Sequence, residues 1–252
     1  MPPEPDIEIL SQIMAPECAY YRVRVKQRVH YLTILSGVFD KDTMRQPDLL
    51  LPKLPELPDS PWTTMTISRG GDGSLKSRIS TDQLPGVKGI WHDVCIDIFS
   101  LKWKNCLKKD RVYEVEYEGA PAVAKIACFE WCLLRIERET WAYSKIESYR
   151  REHPDEPPIA PEFLGHLTEN GRTIGFLLEK VNGKPAVVND LANCEALLRR
   201  LHRLKLVHGD PNTHNFIVDR ASGGKVRLID FETAMDFDEY AARDDLDFCL
   251  GF

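Results

Sequence analysis

One change of period constrains this chain more than any other feature. Strand-like text dominates as far as Ile126. Apolar and polar residues alternate in Tyr20–Leu35, with Tyr21, Val23, Val25, Val29 and Tyr31 expected on one side. Similar stretches are Val94–Ser100, Val112–Tyr117 and Pro121–Ile126. From about Phe129 to Ser148 the apolar spacing becomes helical, with a stripe of Leu133, Ile136, Tyr143 and Ile146. Strand signals resume at Phe163–Leu167 and Thr173–Val181, around an Asn170-Gly171 turn. Asp190 is placed to cap a helix reaching Leu204, with Leu191, Cys194, Leu197, Leu198 and Leu201 inward. Two short strands, Asn215–Val218 and Val226–Ile229, surround Ala221-Ser222-Gly223-Gly224, and an acidic helix is expected from about Asp238 to Leu250. This order predicts an α+β chain with two lobes.

The first 90 residues are expected to form a β-rich extension. A hairpin is predicted around Lys26-Gln27. Prolines 47, 52, 55, 58 and 61 predict a linker or extended wrap, because proline fixes φ and lacks the ladder donor. Trp62–Ser68 and Leu75–Thr81 flank Arg69-Gly70-Gly71-Asp72-Gly73-Ser74. A phosphate cradle would need a helix after those glycines, and none follows, so a hairpin turn is expected. The divisions are then 1–90, 91–181 and 182–252.

Composition narrows the functional classes. With 43% hydrophobic and 29% charged residues, the 252-residue chain is not disordered as its main state. Its net charge of −6 comes with no extended basic face, which argues against nucleic acid as partner. Positions 230–247 hold eight acids and only Arg243 as a base, and a solvated helix face is the expectation for such a run. No apolar run approaches the roughly 18 residues of a membrane span. Met1–Asp6 lacks a basic and an apolar signal region, and seven cysteines is an odd number. Reduced thiols in a cytoplasmic protein are therefore expected. Cys128 and Cys132 have no further ligands spaced for zinc and are expected to be buried thiols. Trp91, Trp103, Trp131 and Trp141 are expected to pack.

The stretch that carries chemistry is Val207-His208-Gly209-Asp210-Pro211-Asn212-Thr213-His214-Asn215-Phe216, followed by Leu228-Ile229-Asp230-Phe231-Glu232. Phosphoryl transfer needs a divalent cation held by a carboxylate and an amide oxygen, and a second carboxylate aimed at the acceptor hydroxyl. An Asp followed five residues later by Asn, then an Asp beyond a short hairpin, supplies those groups. Asn212 and His214 are expected to fix the loop by hydrogen bonds.

These motifs, H-x-D-x-x-x-x-N and D-F-x, resemble the protein kinase-like fold. With Gly209 in the middle they look closest to its aminoglycoside- and choline-phosphotransferase branch and to small fungal kinase-like proteins. The resemblance covers about residues 95–248. It implies a two-lobed fold with a reduced C-lobe at 182–252, an N-lobe at 91–181, and use of ATP and Mg²⁺. It implies Asp210 as the base, Asn215 and Asp230 as metal ligands, and His208 as a prop for the loop. Lys125 ends a strand as the family's phosphate-binding lysine does, and Glu139, fourteen residues on, would pair with it. Glu137 lies about 200° around the helix and should not share that face. The hinge resembles Leu178-Glu179-Lys180-Val181, where main-chain groups of Glu179 and Val181 would meet adenine.

The chain also departs from the pattern. Lys102–Arg111 contains no glycine where a Gly-rich loop would cover phosphate, and Lys108 and Lys109 are the candidate substitutes. Gly209 stands where many protein kinases have arginine, Glu232 follows Asp-Phe, and only 22 residues follow Asp230. A small or unusual hydroxyl acceptor, small molecule or protein, is then expected, without activation-loop switching. A catalytically inactive scaffold that keeps the fold is the alternative. The sequence leaves the oligomeric state open.

Overall fold

The computed structural model describes residues 7–250, with side chains as far as Asp247. The sequence features of Met1–Asp6 and the side chain of Cys249 lie outside the described residues. The chain divides into two compact units, 1–85 and 86–252.

The first unit is a five-stranded sheet, order β1-β2-β3-β4-β5, built from β1 (Ile7–Met14), β2 (Cys18–Val25), β3 (Arg28–Leu35), β4 (Thr64–Arg69) and β5 (Leu75–Ser80). The β2–β3 turn falls at Lys26-Gln27, and Tyr21 pairs with Leu32, Val23 with His30, and Val25 with Arg28. Directly opposed residues share a face. Tyr21, Val23, Leu32 and Ile34 therefore point into one core, with Met65 and Ile67. Val29 and Tyr31 lie on the other face, contrary to the sequence expectation. A two-residue turn pairs 25 with 28, so the inward positions are odd before it and even after it. The proline-rich stretch also differs from an extended wrap. Pro47 occupies the first turn of α2 (Pro47–Leu50), which follows α1 (Lys41–Arg45), and Leu50 is fully buried. Proline suits that position because its missing N–H would have had no partner there.

The second unit holds a six-stranded sheet, order β6-β10-β11-β9-β8-β7. Its strands are β6 (Cys95–Asp97), β7 (Lys102–Lys108), β8 (Val112–Tyr117), β9 (Ala120–Ile126), β10 (Phe163–Glu169) and β11 (Arg172–Glu179). The glycine-free segment at 102–111 is thus mostly strand, with a tight turn at Lys109–Arg111. Asn170 (φ 50°) and Gly171 (φ 80°) make the β10–β11 turn with positive φ at both centres, as predicted. Gly175 is required by close approach: a Cβ there would sit 2.0 Å from the carbonyl oxygen of Lys125 on β9.

Helix α3 (Leu133–Glu152) covers this sheet with the expected stripe and runs four residues beyond Ser148. Tyr143 is fully buried among Phe163, Phe176 and Phe231, with ring centroids 5.8, 5.7 and 5.4 Å away. The remaining elements are β12 (Lys184–Pro185), α4 (Leu191–Arg203), β13 (Leu206–Val207), β14 (Phe216–Asp219), β15 (Lys225–Leu228), β16 (Met235–Asp236) and α5 (Glu239–Leu250). Cys194, Leu197, Leu198 and Leu201 of α4 are buried as expected. Asp190 precedes α4, but its carboxylate turns back to the Val187 N–H at 2.8 Å and pairs with Arg220 rather than capping the helix. Of the tryptophans, Trp91 packs and donates to the Thr140 carbonyl, whereas Trp131 is exposed and stacks on Phe129. No helix of the described residues is long and apolar enough to cross a membrane.

Candidate functional site

Lys125 lies near the end of β9, registered between Val112 of β8 and Phe176 of β11. Its strand neighbours Ala124 and Ile126 are buried on the opposite face of β9, and Lys125 itself is only 8% exposed. Such burial requires a counter-charge. Glu139, on the inner face of α3, supplies it with both oxygens, at 2.6 and 2.9 Å from Nζ. Asp230 adds a third contact at 2.7 Å. Burial opposes the ammonium charge, but the two carboxylates outweigh it and hold the Lys125 pKa above its ordinary value. Glu139 also accepts the Phe231 N–H at 3.2 Å, so one carboxylate ties α3 to β9 and to the segment after β15. Glu137 faces elsewhere, accepting the Lys88 N–H at 3.0 Å, as the helix period requires.

Asp230 itself has φ 66° and ψ 60°, left-handed backbone that aspartate tolerates better than most residues. This bend turns its carboxylate to the lysines. Burial raises its pKa, but Lys125, Lys108 and Arg111 together outweigh that and leave it below the usual carboxylate value.

The loop before β14 is organised by two buried groups. His208 is fully buried, and burial lowers its pKa. Its Nδ1 accepts the Asp210 N–H at 3.3 Å, which leaves Nε2–H to donate to the Ile229 carbonyl at 3.0 Å. The second group is Asp245 of α5, 2% exposed, which accepts the N–H of His208 at 2.8 Å and of Gly209 at 2.9 Å. The acidic run is therefore not wholly a solvated face. Gly209 has φ 79°, and a Cβ there would meet the Thr233 carbonyl oxygen at 2.7 Å.

Asp210 is exposed beyond this anchored backbone. Asn215 donates its amide N–H to the Asp210 carbonyl at 2.8 Å. Asn212 donates to the Asp210 carboxylate at 3.0 Å and accepts the His214 N–H. The Ile229 N–H donates to the Asn215 carbonyl at 2.9 Å, which couples this loop to the residue before Asp230.

Lys125, Glu139, Asp230 and Lys108 thus converge, and Asp210 and Asn215 form a second cluster linked to them through Ile229. Lys108 Nζ lies 3.7 Å from Asp230 Oδ2. Lys109 is exposed in the turn. At the hinge, the Glu179 N–H donates to the Glu162 carbonyl at 2.9 Å.

Two residues of this region, Arg111 and Asp245, carried no recognised sequence signal, and Glu232 stood out only as a departure from the motif. Arg111 pairs with Glu232 across 121 positions. Asp245 was hidden among neighbouring acids, although its place on the inner side of an amphipathic helix offered a faint cue.

The oxygen set of Asp230 and Asn215 suits a hard divalent cation. The amide nitrogen of Asn215 is committed to the Asp210 carbonyl, which leaves its side-chain oxygen for coordination. Residues 181–247 match the model of the lipopolysaccharide kinase (Kdo/WaaP) family, a family of protein kinase-like type. The matched stretch contains Asp210, Asn215 and Asp230. No curated protein matches the chain.

Proposed function

We propose that this chain is an ATP- and Mg²⁺-dependent phosphotransferase that moves the γ-phosphoryl group to a hydroxyl acceptor. The observation that carries the reading is the buried ammonium of Lys125, held between Glu139 and Asp230. A charge kept so far from water is costly unless it serves a partner of opposite sign. Lys125 would bind the nucleotide phosphates, with Glu139 fixing its direction. Asp230 and Asn215 would hold Mg²⁺, which supplies charge neutralisation at the transferring group. Asp210, on its anchored loop, would orient the acceptor hydroxyl and take its proton. Positioning and electrostatics provide most of the acceleration in such chemistry.

The kinase-like match and the aminoglycoside- and choline-type motif both favour a non-peptide acceptor. Two lobes at 91–181 and 182–252 belong to the same reading, in which main-chain groups of Glu179 and Val181 would meet the adenine edge and Lys108 and Lys109 would lie near the phosphates. A second reading, an inactive scaffold, draws on one specific observation: Lys108 and Lys125 occupy both oxygens of Asp230.

Calorimetric titration of Mg²⁺-ATP into the folded chain separates them. Saturable heat that requires Mg²⁺ and is lost in Asp230→Asn supports the enzyme. Asp210→Ala should still bind nucleotide and fail to transfer phosphate. A flat titration of folded protein would sink the proposal.

A further inference from the structure

A cavity of about 300 Å³ opens beside the site, lined by Leu134, Arg135, Arg138, Glu232 and Thr233. Leu134, Arg135 and Arg138 fall within about 100° of arc on α3, so they form one face at its N-terminal end. Neither guanidinium has an acidic partner among the described residues. Glu232, the one acid in the wall, is already engaged by Arg111. The cavity is therefore lined by two uncommitted positive charges, and its single negative charge is neutralised from behind.

We propose that this cavity seats an oxyanion, a phosphate monoester or a carboxylate, carried by the phosphoryl acceptor. This rests on the phosphotransferase reading. Guanidinium forks match both groups, because each presents two coplanar oxygens to paired N–H donors. The position fits an acceptor subsite. Thr233 in the wall donates its hydroxyl to the His208 carbonyl at 3.0 Å, two residues before Asp210. The cavity wall and the loop of the proposed base are thus one hydrogen bond apart. Leu134, 64% exposed at the rim, adds an apolar surface for the acceptor's carbon skeleton. No bond changes at this subsite, which acts by holding the acceptor.

The test has two arms. In the first, inorganic phosphate is titrated into the full chain and followed by amide NMR shifts and calorimetry. Saturable binding is expected, weakened about tenfold or more in Arg135→Gln/Arg138→Gln. Arg151→Gln, an exposed arginine near the other end of α3, should leave it unchanged, and the double variant should keep its melting temperature and Mg²⁺-ATP affinity. Absence of phosphate binding, or equal binding by the double variant, overturns the proposal.

In the second arm, acceptors differing only in charge, such as glucose, glucuronate and glucose 6-phosphate, are compared with Mg²⁺-ATP as donor. An anionic member should be preferred, with its KM raised about tenfold in the double variant and kcat held. Equal use of neutral and charged members overturns the acceptor assignment. So does phosphate that binds here without competing with the acceptor, since a free anion would then be the ligand. Wild-type protein that binds phosphate but not Mg²⁺-ATP fails the phosphotransferase reading, and the acceptor assignment with it, while the anion site stands.

Discussion

Asp245 accepts the backbone N–H of His208 at 2.8 Å, with its carboxylate 2% exposed. The same carboxylate takes the Gly209 N–H at 2.9 Å, and His202 lies 3.1 Å away. One side chain on the last helix therefore sets the course of the backbone that enters Asp210. Asp245→Ala leaves two backbone donors unmet, that of His208 fully buried and that of Gly209 partly so, at a cost of about 2–4 kcal/mol. Asp245→Asn, with one acceptor oxygen, should lose less. Denaturant melts measure both. If the loop is held this way, phosphate transfer should fall further than Mg²⁺-ATP affinity in the Asn variant. Equal stability of wild type and Asp245→Ala would contradict the role.

Lys125 and Glu139 are expected to behave as a unit. Lys125→Met leaves Glu139 buried without its counter-charge and should destabilise the chain by about 3 kcal/mol. Adding Glu139→Gln removes that uncompensated charge, so the double variant should be more stable than Lys125→Met. A coupling of about 1–3 kcal/mol is expected in the thermodynamic cycle. Nucleotide affinity should not return with stability. Strictly additive losses would show that the 2.6 Å contact contributes no coupling.

The contact between this pair was foreshadowed in the sequence. The pairing itself is what the kinase-like resemblance implies for Lys125 at the end of a strand pattern, and the helical period favours Glu139 over Glu137. Asp210, Asn215 and Asp230 stood out by their order and spacing, and the structure joins Asp210 and Asn215 on one loop by a 2.8 Å hydrogen bond, with Asp230 beyond the β14–β15 hairpin. What escaped depends on distant pairings. Arg111 meets Glu232 across 121 positions, and nothing near either residue signals the other. Asp245 looked like its solvated neighbours, since only packing of α5 on α4 and β13 selects which acid turns inward. In the first unit, one residue of turn length decided whether Val29 or His30 shared a face with Tyr21.

Gly209 offers a backbone test. Its φ of 79° is strained for any residue with a Cβ, and the added carbon would press on the Thr233 carbonyl oxygen. Gly209→Ala should cost about 1–3 kcal/mol. Because Asp210 follows directly, kcat should fall more than the stability loss alone would explain, with Mg²⁺-ATP affinity nearly kept. A variant as active and stable as wild type would mean the loop relaxes without penalty.

The last prediction concerns acid. His166 is fully buried and accepts the N–H groups of Trp91 and His92 through Nε2, at 3.2 and 3.3 Å. Both bonds require an unprotonated Nε2. Burial, with the nearby His92, pushes the imidazole pKa down to about 4. A folded pKa below the unfolded value of about 6.5 means the unfolded chain binds the proton first as pH falls. The stabilising contribution is then complete above about pH 6.5 and is lost progressively towards pH 4. Its size is on the order of 2 kcal/mol over that window. His166→Gln keeps an acceptor and removes the titration. Urea melts at pH 7 and pH 5 should therefore show a smaller stability drop in the variant than in wild type. Parallel pH profiles for the two proteins would assign the acid sensitivity to other groups, His208 first among them, since burial lowers its pKa as well.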